Sequence, residues 1–431
     1  MKRLIWFLLI LGLVASAHVR YLGIDDFIAA AVRNSPDLNI SRADYNASVQ
    51  RARSARGDYL PRVDLTAGGG MTGIHSEISG QDTRETSHLL TGTLSANQLI
   101  YDFGRTLGNI RASDYDANAT RARLLQRLRD KIYDVKKAFY NVLKARTLID
   151  VNRKNVALNE QQLHRARRYF EAGIRTRIDV SDARVNLIKA RLGLQNATYG
   201  YRRARIRLTA TVGIDPYGGH YELDAPDFNA SHLYETLPDV DQPFESLETY
   251  AYAHRYTLQA YAQAAQSAAA RVTAARSGYF PQLFLKGDYT RSDLNEKLQI
   301  YTPQQQWDAM LTLNWNLFEG FKTDARTQEA RSLALKSKAA YSDAKLKIRQ
   351  EVADAHTVLL KIRDSVKLSQ SLAEAAKEKF VQAQKRYEHG LSDFIELQQA
   401  RQGYIDADAG LVTTYYDFFI ALARRDKAIG K

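Results

Sequence analysis

The side chains best spaced for chemistry in this sequence are charges and polar groups beside two glycines. Arg175 and Arg177 follow Gly173, while Ser392 and Asp393 follow Gly390. Each set sits in a short segment, Ile174-Arg175-Thr176-Arg177 or Leu391-Ser392-Asp393-Phe394, between long stretches of helical composition. Such groups can pair with opposite charges, offer a docking surface or set a local field. Covalent catalysis needs other constellations. The sequence has no P-loop, no G-x-S-x-G elbow and no H-E-x-x-H pair, and its nine histidines are scattered with no i, i+4 couple suited to a metal. No catalytic residue, metal site or cofactor is expected.

The elements that position these turns belong to a duplication. Ala55-Arg56-Gly57-Asp58-Tyr59-Leu60-Pro61 returns 220 positions later as Ala275-Arg276-Ser277-Gly278-Tyr279-Phe280-Pro281. Further on the offset becomes 217: Ile100-Tyr101-Asp102 matches Leu317-Phe318-Glu319, and Glu171-Ala172-Gly173-Ile174 matches Glu388-His389-Gly390-Leu391. Ordered landmarks at near-constant spacing mark a tandem repeat. The expected organisation is a first repeat within 18–213, a connector at 214–243 rich in proline and glycine, a second repeat over 244–428 and a tail at 429–431.

Residues 1–17 read as a secretory signal peptide. Lys2 and Arg3 precede the apolar run Leu4–Val14 and an Ala15-Ser16-Ala17 cleavage signal, so the mature chain begins near His18. No later segment offers the uninterrupted apolar length of a transmembrane helix. The absence of cysteine excludes a disulfide framework and a lipid anchor on an N-terminal cysteine. A net charge of +13 invites a nucleic-acid reading. Yet the basic residues alternate with Asp and Glu on polar helix faces in an exported chain, so no nucleic-acid partner is expected.

Within each repeat the hydrophobic period switches. A helix from about Asp25 to Gly57, interrupted at Pro36, gives way to alternation: Val63, Leu65 and Ala67 against Asp64 and Thr66. A polar loop is expected over Ser76–Ser87, followed by Leu90, Gly92, Leu94 and Ala96 against Thr91, Thr93, Ser95 and Asn97. The second repeat alternates likewise through Leu283–Thr290 and Trp307–Leu317, with Phe284 and Met310 as exceptions on the polar side. Amphipathic segments of about ten residues ending near aromatics are the pattern of transmembrane β-barrel strands. Long helices then run over about Arg105–Tyr169 and Lys322–Tyr387, each on the order of 100 Å at 1.5 Å per residue. Shorter helices return over Asp179–Val212 and Asp393–Ala423. Four strands leave two unpaired edges in lipid, so copies of the chain must close the ring. Two copies would give about eight strands and a filled interior, three about twelve and an open lumen.

The order of these features resembles the TolC family of outer-membrane efflux proteins. The resemblance rests on Arg33-Asn34-Ser35-Pro36-Asp37-Leu38, Tyr59-Leu60-Pro61, Tyr101-Asp102-Phe103-Gly104, Phe318-Glu319-Gly320-Phe321, and Ala172-Gly173 followed by Asp179-Val180. It implies a mostly α fold with a membrane β-barrel. Long α-helical hairpins would form a 12-helix periplasmic tunnel in a homotrimer, and four transmembrane strands per chain a 12-stranded barrel in outer-membrane lipid. It also implies a belt formed by 214–243 and the tail after Arg425, and a passive exit duct for small molecules or proteins. The duct would dock to a periplasmic adaptor and an inner-membrane pump of RND, MFS or ABC type, which supplies the energy.

By the same resemblance, the periplasmic gate is held near the glycine turns by Asp179, Tyr387 and Glu396. Gln399 and Ser392 stand where relatives place a second acid and an arginine. Arg175 and Arg177 facing Asp393 would be a substitute lock with its charges exchanged between halves. Three copies of Glu396 around a narrow axis would favour cations. The turn segments, with Gly173, Arg175, Arg177, Gly390 and Ser392, form the expected adaptor-docking surface. Two competing readings fit less well. A wholly periplasmic coiled-coil adaptor would have one hairpin rather than two, and an exported hydrolase would need an acid–base constellation.

Overall fold

The computed structural model describes residues 20–78, 81–215, 221–224, 228, 233–295 and 301–431. The signal peptide expected at 1–17 lies outside them. Chain order is β1 (Arg20–Leu22), α1 (Ile24–Asn34), α2 (Pro36–Gly57), β2 (Arg62–Ile78), β3 (Gln81–Tyr101), α3 (Arg105–Glu171) and α4 (Arg177–Val212), then β4 (Tyr221–Leu223) in the connector. The same series repeats as α5 (Phe244–His254), α6 (Tyr256–Arg276), β5 (Gln282–Asn295), β6 (Tyr301–Asn314), α7 (Lys322–Glu388) and α8 (Phe394–Ile429).

The first helix divides where proline demands it: Ser35 is extended, with φ −66° and ψ 120°, and Pro36 opens α2. The second repeat breaks at Arg255 without a proline. Helices α3 and α7 are each 67 residues long. The chains of the two repeats interleave: α3 packs on α2 and α4 of its own half and on α6 and α8 of the other. The largest apolar cluster shows the same mixing, joining Phe27, Val135, Phe139 and Leu208 to Ile405 and Val412.

The four long strands form one antiparallel sheet in the order β2-β3-β5-β6. Its register makes the two faces explicit. Leu65, Leu94, Tyr289 and Trp307 lie in one cross-strand row and Val63, Ala96, Gly287 and Ala309 in the next. The other face carries Asp64, Ser95, Asp288 and Asp308, then Thr66, Thr93, Thr290 and Gln306. The apolar row is open: Leu65 is 75% and Trp307 77% exposed, and β2 and β6 are edges. Among the described residues no helix is long and apolar enough to cross a membrane.

Three expectations need correction. The loop over Ser76–Ser87 is mostly ladder, since β2 and β3 stay paired out to Ile78 and Gln81. Backbone pairing there continues where side-chain alternation has stopped, because hydrogen bonds rather than burial hold the end of a hairpin. Strand β6 ends at Asn314, before Leu317. Helix α8 passes Ala423 and Arg425 and continues to Ile429, where Ala428 and Ile429 fill a core with Leu247 and Leu258. The tail expected as belt is thus largely helix. In the connector, Tyr221–Leu223 pairs in parallel with Arg20–Leu22, tying it to the start of the described chain.

Candidate functional site

The two hairpin tips are built alike. After α3, the Gly173 N–H donates to the Phe170 carbonyl at 3.0 Å and that of Ile174 to the Tyr169 carbonyl at 2.9 Å. After α7, Gly390 donates to Tyr387 at 3.2 Å and Leu391 to Arg386 at 2.8 Å. Both glycines are left-handed, with φ +72° and +73°, the conformation in which a helix end reverses at least cost. Ile174, Ile178, Leu391 and Ile395 project from the turns, 63–70% exposed. Ile178 and Ile395 extend the apolar tip beyond the segments expected from sequence; Phe394, by contrast, is buried.

The acids near the turns are first of all helix caps. The Asp179 carboxylate accepts from the backbone N–H and the hydroxyl of Thr176, both at 3.0 Å. Asp393 occupies the position equivalent to Thr176 and accepts from the Glu396 N–H at 2.8 Å. Moving the capping acid from the third helical residue to the cap frees the Glu396 side chain. Glu396 instead meets Arg386 across its own turn, Nη1 to Oε1 at 3.2 Å. Gln399 is exposed.

The link between the two tips differs from the expected charge exchange. Among the described residues neither Arg175 nor Arg177 pairs with Asp393, whose carboxylate is engaged as a cap. Arg175 reaches the other hairpin, donating to the Ser392 carbonyl at 3.3 Å and lying 5.0 Å from the Tyr387 ring centroid. Tyr387 itself is 1% exposed within a cluster of Leu163, Ala183, Leu187 and Leu397. Burial pushes its phenol upward, opposed by the Arg175 charge. Arg177 is exposed.

A second tie was not evident from sequence. Arg165 of α3 meets Glu388 at the end of α7 at 2.6 Å. A hydrogen bond from Gln384 and the Arg165 charge hold the Glu388 carboxyl below its ordinary range. Arg165 and Glu388 are 223 positions apart, off the 217 offset of this part of the repeat, so no sequence pattern pairs them. The tips can therefore be fastened and released by charge, cation–π and backbone contacts. They form no acid–base constellation, and no group of residues able to hold a metal occurs among the described residues.

Known proteins agree with this architecture. Residues 27–214 and 249–431 match the family described as outer membrane efflux protein. The outer membrane protein TolC of Vibrio cholerae is 25% identical over 93% of this chain and 89% of its own length. The protein CyaE of Bordetella pertussis is 25% identical over 90% and 79%. In fold, the outer-membrane channel OprN superposes with a TM-score of 0.81 at 19% identity over 94% of this chain and 89% of its own. CusC superposes at 0.83 with 16% identity over 96% and 93%. The chain thus belongs to the outer membrane efflux protein family and is an exit duct of the outer membrane, its helical shaft in the periplasm.

Proposed function

We propose that three copies of the chain close into a duct gated at its hairpin tips, which dock to a periplasmic adaptor and through it to an inner-membrane pump. The observation that carries closure by copies of the chain is the open sheet, and membership of the family supports three of them. Unpaired β2 and β6 edges in hydrocarbon cost several kcal/mol per orphaned backbone group, and head-to-tail pairing of β6 with the next β2 removes them all. Three chains give about twelve strands and an open lumen. The chain carries no nucleotide-binding loop, so the energy belongs to the pump, of RND, MFS or ABC type.

The gate rests on Arg175. Its guanidinium joins one hairpin to the other through Tyr387 and Ser392, and the exposed Ile174, Ile178, Leu391 and Ile395 are what an adaptor hairpin would cover. Asp179 and Asp393 hold the turns in shape, and Glu396 with Arg386 sets the field at the opening. Planar-bilayer recording tests this. Arg175→Ala should open the duct and raise conductance several-fold, with trimers intact by heat-modified electrophoresis. Glu396→Ala should lower cation preference, and Arg386→Ala, which strips Glu396 of its partner, should raise it. An unchanged conductance in Arg175→Ala removes the latch, and an unchanged reversal potential in both other variants removes the field.

A further inference from the structure

The apolar face of the sheet does not stop where β6 stops. Trp315 and Leu317 continue the odd-numbered series of Trp307, Ala309, Leu311 and Leu313 past the strand end at Asn314. Trp315 is 55%, Phe318 74% and Phe321 78% exposed. They border a cleft of about 240 Å³ at the start of α7. The hairpin ends of the sheet lie at its far side, so this cleft sits where the barrel meets the periplasmic shaft, at the level of lipid headgroups.

Its polar groups carry both signs. Asp324 is exposed and accepts from the Tyr279 hydroxyl at 3.2 Å, while half-buried Glu319 accepts from the Thr323 hydroxyl at 2.6 Å and faces Arg326 at 3.8 Å. Lys322 is exposed and forms no ion pair among the described residues. Phe318 and Phe321 meet edge to face with centroids 5.6 Å apart. Aromatic faces beside the exposed Asp324 carboxylate suit an ammonium, and Lys322 beside them suits a phosphate.

The first repeat acts as an internal control. There the Gln98 amide donates to the Tyr59 carbonyl at 2.7 Å, as the Trp315 indole donates to the Tyr279 carbonyl at 3.2 Å. The joint is the same. But Asp102, the counterpart of Glu319, is 1% exposed and engaged with the N–H groups of Gly104 and Thr106. Leu107 stands where the second repeat has Asp324. The geometry of a strand-to-helix joint therefore needs neither the tryptophan nor the open Asp324 carboxylate; these are additions of the second repeat.

We propose that the cleft between β6 and α7 is a headgroup site for a zwitterionic, amine-bearing phospholipid of the periplasmic leaflet. Asp324 and the rings of Trp315 and Phe321 take the ammonium, and Lys322 takes the phosphate.

The full-length protein with Trp6→Phe and Trp307→Phe carries Trp315 as its one tryptophan, so its fluorescence reports on the cleft. In vesicles with equal small fractions of lipid brominated on the upper acyl chain, phosphatidylethanolamine should quench Trp315 about five-fold more efficiently than phosphatidylglycerol. Asp324→Asn in the same background should bring the two lipids level. A protein keeping Trp307 but with Trp315→Phe should show no headgroup preference from the outset. Equal quenching of Trp315 by both lipids overturns the proposal. Quenching by neither also overturns it, since a second copy of the chain would then be covering the cleft.

Discussion

At one level of the shaft the two repeats fill the same positions with opposite chemistry. Phe139 and Leu208 of the first repeat lie in its apolar cluster, 4% and 0% exposed. At the matching positions 217 residues on stand His356 and Arg425. Arg425 is 6% exposed, and its Nε and Nη1, like Nδ1 of His356, find no hydrogen-bond partner among the described residues. Burial first, and then the Arg425 charge, push the His356 imidazole below its ordinary value; Arg363 acts the same way, and Asp241 opposes them. Three other duplicated positions carry charge only in the second repeat, Ser35 against Arg255, Thr176 against Asp393 and Leu107 against Asp324, whereas at the tips Arg175 and Arg177 stand against Ser392 and Phe394. Duplication kept the backbone and left each repeat free to place its own charges.

The joints between stacked helices test whether the backbone really is common to both halves. Gly213 and Gly430 end α4 and α8 in the left-handed region, φ +81° and +82°. A Cβ on Gly213 would stand 2.8 Å from the Asn34 carbonyl oxygen, and one on Gly430 3.0 Å from that of His254. Alanine at either should cost about 4 kcal/mol, from strained φ and backbone overlap together, read as a fall in the thermal midpoint of helical circular dichroism. At Gly173 and Gly390, where a Cβ meets nothing within 4 Å, the cost should be about 1 kcal/mol. Equal losses at all four would mean that the joints are not tight.

The same joints should separate in a second way. Buried Arg255 donates to the Lys427 and Ala428 carbonyls at the end of α8 and meets Glu351 at 2.7 Å. Arg255→Ala should cost about 3 kcal/mol through lost charge-assisted bonds. Ser35→Ala, at the matching place with an unpartnered hydroxyl, should stay within about 0.5 kcal/mol.

Transplanting the first repeat's pair reverses the sign. The double variant His356→Phe with Arg425→Leu should gain about 2 kcal/mol, since well-packed apolar residues replace a poorly satisfied polar pair. A loss instead would show that the connector around Asp241 requires the charge.

The smallest effect is a pH slope. Because the folded protein holds the His356 pKa below its unfolded value of 6.5, the unfolded chain binds the proton more readily. Stability is complete above about pH 6.5 and declines as pH falls below that value toward the folded pKa. The melting midpoint should drop modestly over that range in the parent, and the drop should shrink in His356→Phe.

Much of the fold was legible in the residues. Pro36 announced the helix break, Val63-Asp64-Leu65-Thr66 the two-faced sheet, and the glycines at 173 and 390 the hairpin turns. The break at Arg255 was visible only through its repeat partner Ser35. The site was less legible. Asp179 and Asp393 read as gate charges from sequence, and the structure adds that each also caps a helix N-terminus, because a short acid next to free N–H groups is captured locally. Arg386 and Glu396 lie on opposite sides of a turn, and no periodicity pairs them.

The sequence alone determined the duplication, the hydrophobic period of each element and a sheet with one apolar and one polar face. These follow from local patterns and from the backbone's demand for hydrogen bonds, which act along the chain. Only the tertiary structure decided that α3 lies between helices of both repeats, that Tyr387 is buried beneath Arg175, and that Arg165 meets Glu388. Those outcomes depend on which long elements come to lie side by side, and packing across more than two hundred residues of separation leaves no period in the sequence to read.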